Sequence, residues 1–380
     1  MLTTPSRVNT GSYKWDSRPD TLPLWVADMD FATAPCIIDA LQRRVAHGVF
    51  GYTLVTDPYY EALTHWFATR HNYHFRKEQV IYTSGVVPAI SAIIKALAAP
   101  GDGVIVQTPV YNCFFSSIRN NGCRVVENPL HRIDLPDGRF TYEMDFDHLE
   151  QVAADPSVKL LLLCNPHNPA GRLWRRDELT RLAEICAANG VRVVSDEIHC
   201  ELTAPGTHYT PYGPIDPEAI VCLSPSKAFN TAGLQIANIV CPTSETRTLI
   251  DRAININEVC DVNPFGVEAL KAAYTDEGEK WLGEVREQIW ANYVFLLAFM
   301  RERFPQCPVS VLEATYLPWI DISALHDSSD RLEEELLDRA GVWLNSGTMY
   351  GSNGYLRINI ACSPELLAEA LRRVGAALSF

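Results

Sequence analysis

The chain has 380 residues, of which 47% are hydrophobic and 21% are charged, and its formal net charge is −14. A chain of this length can bury a large core and favours two domains. The acidic balance argues against a nucleic-acid-binding protein, which needs clusters of basic side chains to neutralise phosphates.

Short apolar runs and helical patterns alternate from residue 80 to residue 240. The apolar runs predict buried strands at 80–83, 104–106, 160–163, 191–194, 220–223 and 236–240. Helical patterns follow up to Ala98, from about Val110, and over Asp177–Ala188. Short strands that are apolar throughout, alternating with helices, indicate an α/β fold whose mostly parallel sheet is covered by helices on both faces.

The last hundred residues show a different pattern. Their helical and strand-like runs are Glu279–Phe304, Arg331–Ala340, 309–312 and 355–359. This mixture predicts a smaller α+β domain over residues 281–380, beside a large α/β domain over residues 46–280. Residues 1–45 are too short for a domain, and we expect them to pack on the small domain or on a partner subunit.

The eleven cysteines are an odd number, and none has CxxC spacing. Scattered thiols are typical of a reducing compartment, so we expect free thiols and a cytoplasmic protein. His199 and Cys200 have no further Cys or His at metal-ligand spacing, and we expect no metal site there. No secretory pattern and no apolar run of ~18 residues is present, so we expect neither a secreted nor a membrane protein.

Three loops that follow predicted strands contain polar residues of unusual kinds. They place Asn165, Asp196 and Lys227 just beyond an apolar run. Each has an ordinary alternative: a structural turn, a helix cap and a surface lysine. A carboxylate at the end of a buried strand is costly unless it pairs with a cation. A lysine is a nucleophile only where its pKa is lowered or where it forms an imine.

The loops that contain Asn165, Asp196 and Lys227 are more informative together than singly, because they follow one another along the chain at near-equal intervals. The carboxyl ends of parallel strands meet in one crevice, where α/β sheets bind ligands. A fourth loop, Thr83–Pro88, joins a strand to a helix and offers backbone N–H groups to a phosphate. It is neither a Walker A loop nor a GxGxxG fingerprint, so a nucleotide is disfavoured.

The order of these motifs resembles that of the fold-type I enzymes that use pyridoxal 5′-phosphate (PLP), the aspartate aminotransferase superfamily. Within it, WVADMDF (25–31), GYT (51–53), GVVPA (85–89) and DEIH (196–199) resemble the MalY/PatB branch of cystathionine β-lyases, also called cysteine-S-conjugate C–S lyases. The resemblance runs from about Trp25 to the C-terminus. It implies a mostly parallel seven-stranded sheet flanked by helices, with a smaller α+β domain.

The resemblance also implies a role for each matching position around the cofactor. Lys227 carries PLP as a Schiff base and acts in catalysis. Asp196 pairs with the ring nitrogen, and Tyr111 stacks on the ring; both are catalytic. Asn165 donates a hydrogen bond to the phenolic oxygen of PLP and lies near the substrate. His199 is counted among the cofactor-binding residues.

Further positions are implied for the phosphate and the substrate. The phosphate-binding positions are Gly85, Val86, Val87, Ser224, Ser226 and, reaching in from a neighbouring subunit, Tyr52. Because Tyr52 reaches the phosphate of a neighbouring subunit, the resemblance implies a homodimer. Arg357 makes a bidentate contact with the substrate α-carboxylate, a geometry that suits a guanidinium group. We also expect Asp28 and Tyr52 near the substrate.

Two positions depart from the aminotransferase pattern. Gln235 stands where many aminotransferases have an arginine near the phosphate, and His199 stands where they have a tyrosine. Both changes agree with the lyase branch. The pocket for the thiol half of the substrate is expected from Asp28, Met29, 255–263 and 348–350.

The resemblance implies α,β-elimination. L-Cystathionine or a related S-substituted cysteine would give a thiol (homocysteine from cystathionine), pyruvate and ammonia, with Lys227 removing the α-proton as a general base. Two alternatives stay open: an aminotransferase on the same fold, and a PLP-binding regulatory protein whose catalysis is incidental.

Overall fold

The computed structural model describes residues 2–258 and 261–378. The α-helices in these ranges are α1 (Tyr13–Asp16), α2 (Pro35–His47), α3 (Asp57–His71), α4 (Val86–Leu97), α5 (Asn112–Asn120), α6 (Phe146–Ala153), α7 (Arg176–Ala188), α8 (Ser244–Asn255), α9 (Pro264–Ala273), α10 (Asp276–Arg303), α11 (Ser329–Ala340) and α12 (Pro364–Ala377). Short 3₁₀ turns are Lys77–Gln79, Ala232–Leu234 and Gly347–Tyr350.

The strands alternate with these helices along the chain. They are β1 (Leu22–Pro23), β2 (Val80–Thr83), β3 (Gly103–Val106), β4 (Arg124–Glu127), β5 (His131–Asp134), β6 (Phe140–Glu143), β7 (Val158–Cys164), β8 (Arg192–Asp196), β9 (Ile220–Leu223), β10 (Ala237–Val240), β11 (Trp319–Asp321), β12 (Val342–Trp343), β13 (Asn345–Ser346) and β14 (Tyr355–Arg357).

The central sheet has seven strands in the order β2-β10-β9-β8-β7-β3-β4. Strand β10 runs antiparallel to both of its neighbours, and the other pairs are parallel. This arrangement confirms the expected α/β fold with a mostly parallel seven-stranded sheet. It places the ends of β7, β8 and β9 side by side.

The leucine run of β7 shows why the strands lack a polar face. Leu161 and Leu163 pack into a large core that extends into the C-terminal part of the chain. Leu160 and Leu162 pack on the opposite face, in a second core with helices α4, α5 and α8. A strand that is buried on both faces reads as a continuous apolar run, as the sequence predicted.

Two elements differ from the sequence-based expectation. Strand β4 lies at the sheet edge, where its end residues Arg124 and Glu127 are exposed, so no continuous apolar run marked it. The run 309–312 forms only isolated bridges, which join Val309 to Ile320 and Ser310 to Phe140, rather than a strand.

The C-terminal part combines the three-stranded sheet β11-β14-β13 with helices α10, α11 and α12. The N-terminal segment contributes β1, which pairs with β12 in parallel. The proposed division at residue 280 falls inside α10, which begins after the side-chain cap of Thr275. The domain boundaries therefore stay a proposal.

Ion pairs fix the N-terminal segment. Arg7 bonds to Asp28 at 2.6 Å and to Asp30 at 3.0 Å. The buried ammonium of Lys14 lies 2.8 Å from Asp30. Shielding from water strengthens these contacts relative to surface pairs. They hold residues 25–30 against residues 7–14.

Across the described ranges, none of the helices is both long enough and apolar enough for a bilayer crossing. Each cysteine in the same ranges is a free thiol.

Candidate active site

A cavity of about 460 Å³ opens at the carboxyl ends of β7, β8 and β9. The start of α4, the segment 25–27 and the end of β14 complete its walls. This is the edge at which α/β sheets bind ligands, and the volume is typical of a small-molecule site.

Lys227 lies in the loop after β9 and lines this cavity. Its Nζ donates a hydrogen bond to the carbonyl oxygen of Ala27 at 2.6 Å. Burial and the positive charge of Arg357 lower the pKa of the Lys227 amine to about 8, while Asp28 and Asp196 oppose the shift. A larger share of the amine is therefore uncharged near neutral pH than for an ordinary lysine.

Asp196 is the last residue of β8 and is 4% exposed. Its Oδ1 accepts a hydrogen bond from the backbone N–H of Ile198 at 3.1 Å. Burial raises the pKa of this carboxyl group to about 7, although the charge of Lys227 lowers it. A protonated ring nitrogen in the cavity would supply the cation that favours the ionised carboxylate.

The start of α4 lies at the cavity. Gly85 caps the helix, and the first N–H groups of a helix have no partner within it. Ser84, Gly85, Val86 and Val87 line the cavity, and so does Ser226 from the loop after β9. Backbone N–H groups, a helix N-terminus and a hydroxyl suit a phosphate.

Ser224, also expected at the phosphate, lies behind this wall. Its Oγ is 2.6 Å from the carbonyl oxygen of Ile236 and 2.9 Å from Oγ of Ser226. It also accepts the backbone N–H of Ser226 at 3.1 Å. The structure therefore gives Ser224 contacts that orient Ser226.

Arg357, at the end of β14, is 3% exposed. It donates to Oδ1 of Asn168 at 3.1 Å and to the carbonyl of Trp25 at 2.9 Å, and its guanidinium stacks 4.7 Å above the ring of Tyr350. Its Nε has no partner. No carboxylate in residues 2–258 or 261–378 forms a salt bridge with it, so a ligand carboxylate would compensate the buried charge.

Two ring side chains complete the inner wall. Tyr111 precedes α5 and faces the cavity. His199 also faces it and meets the ring of Tyr316 edge to face at 6.1 Å. Burial and the charges of Lys227 and Arg357 hold the pKa of His199 well below its usual range, so the imidazole is neutral. Its Nδ1 has no hydrogen-bond partner.

The structure places Asn165 outside the cavity wall. This residue is fully buried, and its Nδ2 donates to the carbonyl of Thr210 at 2.9 Å and to Glu197 at 3.2 Å. The cavity is instead lined by Asn168, from the second Asn-Pro step, which accepts from Arg357. The turn between the two steps directs the first amide into the interior and brings the second to the cavity.

Asp28 and Tyr52 also lie outside the cavity of this chain. The carboxylate of Asp28 is engaged by Arg7 at 2.6 Å and faces Lys14 at 3.6 Å, behind the wall formed by residues 25–27. Tyr52 is 96% exposed.

Two of the residues expected in the thiol-side pocket, Met349 and Tyr350, line the cavity. Met29, Thr348 and residues 255–258 and 261–263 do not line it, and residues 259 and 260 lie outside the described ranges. Lining residues without an expected role are Tyr13, Trp25, Val26, Ala27, Ser84, Pro88, Asn112, Cys113, Cys164, Asn168, Ile198, Ala232, Ile236 and Asn345. Trp25 belongs to the WVADMDF motif on which the family resemblance rests, whereas no sequence pattern indicated a role for Tyr13.

These groups fit PLP. The cavity contains an amine of lowered pKa, a buried carboxylate, an anion site and a guanidinium whose Nε has no partner. Lys227 would hold the aldehyde carbon, Asp196 the ring nitrogen, Tyr111 the ring face and the start of α4 the phosphate. The cofactor would provide partners for groups that otherwise lack them.

Comparisons with known proteins agree with the fold and with PLP as the cofactor. Residues 19–374 match the family "aminotransferase class I and II". The chain is 39% identical to cystathionine β-lyase PatB of Bacillus subtilis (strain 168), with 98% of each chain covered. It is 33% identical to protein MalY of Escherichia coli (strain K12), covering 96% of this chain and 95% of MalY.

A solved structure that contains PLP is similar to this chain in fold and in sequence. The crystal structure of cystalysin from Treponema denticola, which contains PLP, superposes with a TM-score of 0.94. It is 34% identical, and the match covers 99% of this chain and 98% of cystalysin. Similarity of this extent includes the whole cavity.

The two asparagines of the Asn-Pro steps make a matched pair of variants. Asn165→Ala should lower the free energy of unfolding by about 1–3 kcal/mol, because the Thr210 carbonyl and Glu197 each lose a buried donor. Asn168→Ala should raise KM for the amino-acid substrate about tenfold, because Arg357 loses the acceptor that orients it. Urea unfolding and steady-state kinetics measure the two effects.

The opposite result would restore the first assignment. If Asn165→Ala raised KM and changed the visible absorbance of bound PLP while Asn168→Ala left both unaltered, then Asn165 would be the cofactor ligand.

The lowered pKa of Lys227 predicts how PLP loading depends on pH. Only the unprotonated amine attacks an aldehyde, so the rate of PLP capture by the cofactor-free protein should rise about tenfold from pH ~6 to ~7 and level off above the pKa of about 8. Visible absorbance follows the reaction, and Lys227→Ala is the blank. A rate that keeps rising steeply to pH ~10 would indicate an ordinary lysine.

Proposed function

We propose that this chain, which belongs to the aminotransferase class I and II family, is a PLP-dependent carbon–sulfur β-lyase. Its substrates would be L-cystathionine or related S-substituted cysteines, and its products a thiol, pyruvate and ammonia. The observation that carries the proposal is the convergence of Lys227, Asp196 and Arg357 on one cavity. The PatB relative, whose name states this activity, supports it.

PLP, when bound, supplies the electron sink that allows the Cα–H bond to break and the thiolate to leave from Cβ. Arg357 would bind the α-carboxylate through the N–H groups that Asn168 and Trp25 leave free. That contact fixes the orientation of the substrate in the cavity.

Lys227 would then move the proton. With a pKa of about 8, its amine is close to the value that suits a general base near neutral pH. The carbonyl of Ala27, 2.6 Å from Nζ, holds the amine when it is not bonded to the cofactor. The hydroxyl of Tyr316 donates to the same carbonyl at 3.0 Å and fixes that acceptor.

Asp196 would keep a proton at the ring nitrogen. Its buried carboxyl group is favoured in the ionised form once a cation pairs with it. Tyr111 would cover one face of the ring and exclude water from it. His199, neutral and without a partner at Nδ1, would offer a hydrogen bond without adding charge.

The departures from the aminotransferase pattern support the lyase over amino transfer. Gln235 does not line the cavity, and its carbonyl accepts from the hydroxyl of Tyr82 at 3.2 Å. The phosphate site of this chain therefore relies on N–H groups and hydroxyls, with a neutral His199 nearby. An aminotransferase has less support, and a purely regulatory PLP protein would not need the carboxylate site at Arg357.

The proposal is tested by pyruvate release from the PLP-loaded protein with L-cystathionine and no 2-oxo acid. We expect equal amounts of pyruvate and homocysteine. Lys227→Ala should lower kcat at least a hundredfold, the scale of a lost general base. Lys159→Ala, which removes an exposed lysine on β7, is the matched control.

Two results would contradict this assignment. One is near-normal pyruvate release by Lys227→Ala. The other is transfer of the amino group to an added 2-oxo acid at a higher rate than pyruvate release, which would favour the aminotransferase.

The proposed enzyme is a homodimer in a reducing compartment such as the cytoplasm. An apolar stretch in the last turn of α2 and after it is exposed: Val45, Val49, Phe50, Tyr52 and Leu54 are between 54% and 96% exposed. Contiguous exposed apolar surface marks an interaction site. A second copy that covers this stretch would bring Tyr52 to its phosphate site.

The dimer is tested at Leu54, which is 81% exposed. Leu54→Asp should give a monomer and lower kcat/KM about tenfold or more, because a carboxylate in the interface is desolvated without a partner. Light scattering after size exclusion and pyruvate release are the measurements. Leu249→Asp, at a 43% exposed leucine of α8, is the control; a fully active wild-type monomer would exclude the dimer.

A further inference from the structure

We propose that Glu197 is a positioning residue for the cofactor. Its buried carboxylate ties three strand ends together behind Asp196, and its negative charge strengthens the hold of the Asp196 site on a protonated ring nitrogen. The inference rests on PLP as the cofactor and holds for any reaction of the PLP-loaded protein, so it is independent of the lyase proposal. Glu197 does not line the cavity and is 0% exposed, so its contacts lie inside a single chain.

The carboxylate of Glu197 accepts four hydrogen bonds. Its Oε2 accepts from the hydroxyl of Tyr209 at 2.9 Å. The three donors to its Oε1 are Oγ of Ser195 at 2.9 Å, the backbone N–H of Tyr212 at 2.9 Å and Nδ2 of Asn165 at 3.2 Å. Hydrogen bonds donated to a carboxyl group favour its ionised form, so this arrangement suits a carboxylate.

All four partners of Glu197 are neutral, and within the described ranges no cationic side chain forms a salt bridge with it. Burial raises the pKa of the Glu197 carboxyl group to about 7, and the four hydrogen bonds oppose that shift. The titratable groups around it are Asp196, Cys200, Cys222, Tyr73, Tyr209 and Tyr212. Burial raises the pKa of each thiol and phenol in this set, so these groups are neutral at neutral pH. Asp196 is the neighbour that carries charge.

The same contacts join the ends of three neighbouring strands. Ser195 lies in β8, and Asn165 directly follows β7. The backbone N–H of Glu197 donates to the carbonyl of Cys222 in β9 at 3.0 Å. The backbone N–H of Asn165 donates in turn to the carbonyl of Asp196 at 2.9 Å. The position of Asp196 therefore depends on the contacts that surround Glu197.

The charge of Glu197 acts on Asp196. Burial is the largest cause that raises the pKa of Asp196, and the negative charge of Glu197 adds to it. A cation beside Asp196 relieves the repulsion between the two carboxylates, whereas a neutral ring does not. Because charges interact strongly where water is excluded, the two carboxylates together should hold a protonated ring nitrogen more tightly than Asp196 alone.

The first test compares PLP with its analogue in which a C–H group replaces the ring nitrogen. Both have the aldehyde and the phosphate, but only PLP places a cation at Asp196. At pH ~8, where the ionised form of Glu197 prevails, wild-type protein should bind PLP more tightly than the analogue. In Glu197→Gln this preference, the ratio of the two Kd values, should fall about tenfold. Fluorescence titration of the cofactor-free protein measures both Kd values.

Glutamine removes the charge and keeps the hydrogen bonds. Its Oε1 can accept from the same three donors as before. Its Nε2 replaces Oε2, whose one partner is the hydroxyl of Tyr209, and a hydroxyl accepts as well as donates. An equal rise of both Kd values in Glu197→Gln would indicate a purely structural role and overturn the inference, and so would two unchanged Kd values.

Two tyrosines of one loop give a matched pair of variants that keep Glu197. Tyr209 and Tyr212 are 5% and 0% exposed. Tyr209→Phe removes a donor to Glu197, whereas Tyr212→Phe removes a hydroxyl that donates to Asp216 at 3.3 Å. Loss of a donor disfavours the ionised form of Glu197, so Tyr209→Phe should lower the preference for PLP about threefold. Tyr212→Phe should leave that preference at the wild-type value.

The tyrosine pair decides the question if Glu197→Gln does not fold. An equal preference for PLP in Tyr209→Phe and Tyr212→Phe then overturns the inference. Pyruvate release enters neither test. A protein that releases no pyruvate but shows the expected ratios of Kd values overturns the lyase assignment alone, and unchanged ratios in an active lyase overturn the role of Glu197 alone.

Discussion

The burial of ionisable groups that have few partners within the protein is the constraint on which this molecule depends. Arg357 and Asp196 are 3% and 4% exposed, and within the described ranges their hydrogen-bond partners are neutral. Such burial costs several kcal/mol for each ion. The apolar cores on both faces of the sheet stabilise the fold against this cost. A cofactor and an amino acid supply the missing partners, so binding them also stabilises the folded chain.

The segment 25–30 connects the groups that meet at the cavity. Its carbonyl oxygens accept hydrogen bonds from Lys227, which follows a strand of the central sheet, and from Arg357 in the C-terminal part of the chain. Asn359 donates to the carbonyls of Val26 and Asp28, both at 2.6 Å. Ion pairs of Arg7 and Lys14 fix the same segment from the other side. The N-terminal residues are therefore part of the site, although they are too short to form a domain.

The sequence was sufficient for six of the seven strands of the central sheet and for the residues at its carboxyl edge. Buried strands can be recognised as apolar runs, and Asp196 and Lys227 closely follow two of these runs. Asn165 and Asn168 could not be told apart, because both stand in an Asn-Pro step and only the path of the turn separates them. Tyr13 gave no signal, because its place at the cavity depends on how a distant segment folds back. Tyr52 is exposed in this chain, and the role proposed for it needs a second copy of the chain.

Trp25 makes two contacts of different kinds. Its main-chain carbonyl accepts a hydrogen bond from the guanidinium of Arg357, while its indole stacks on that of Trp343. A backbone contact survives most substitutions, whereas the ring is lost with one. Substitutions of Trp25 can thus remove the aromatic packing of the N-terminal segment while the acceptor that orients Arg357 persists.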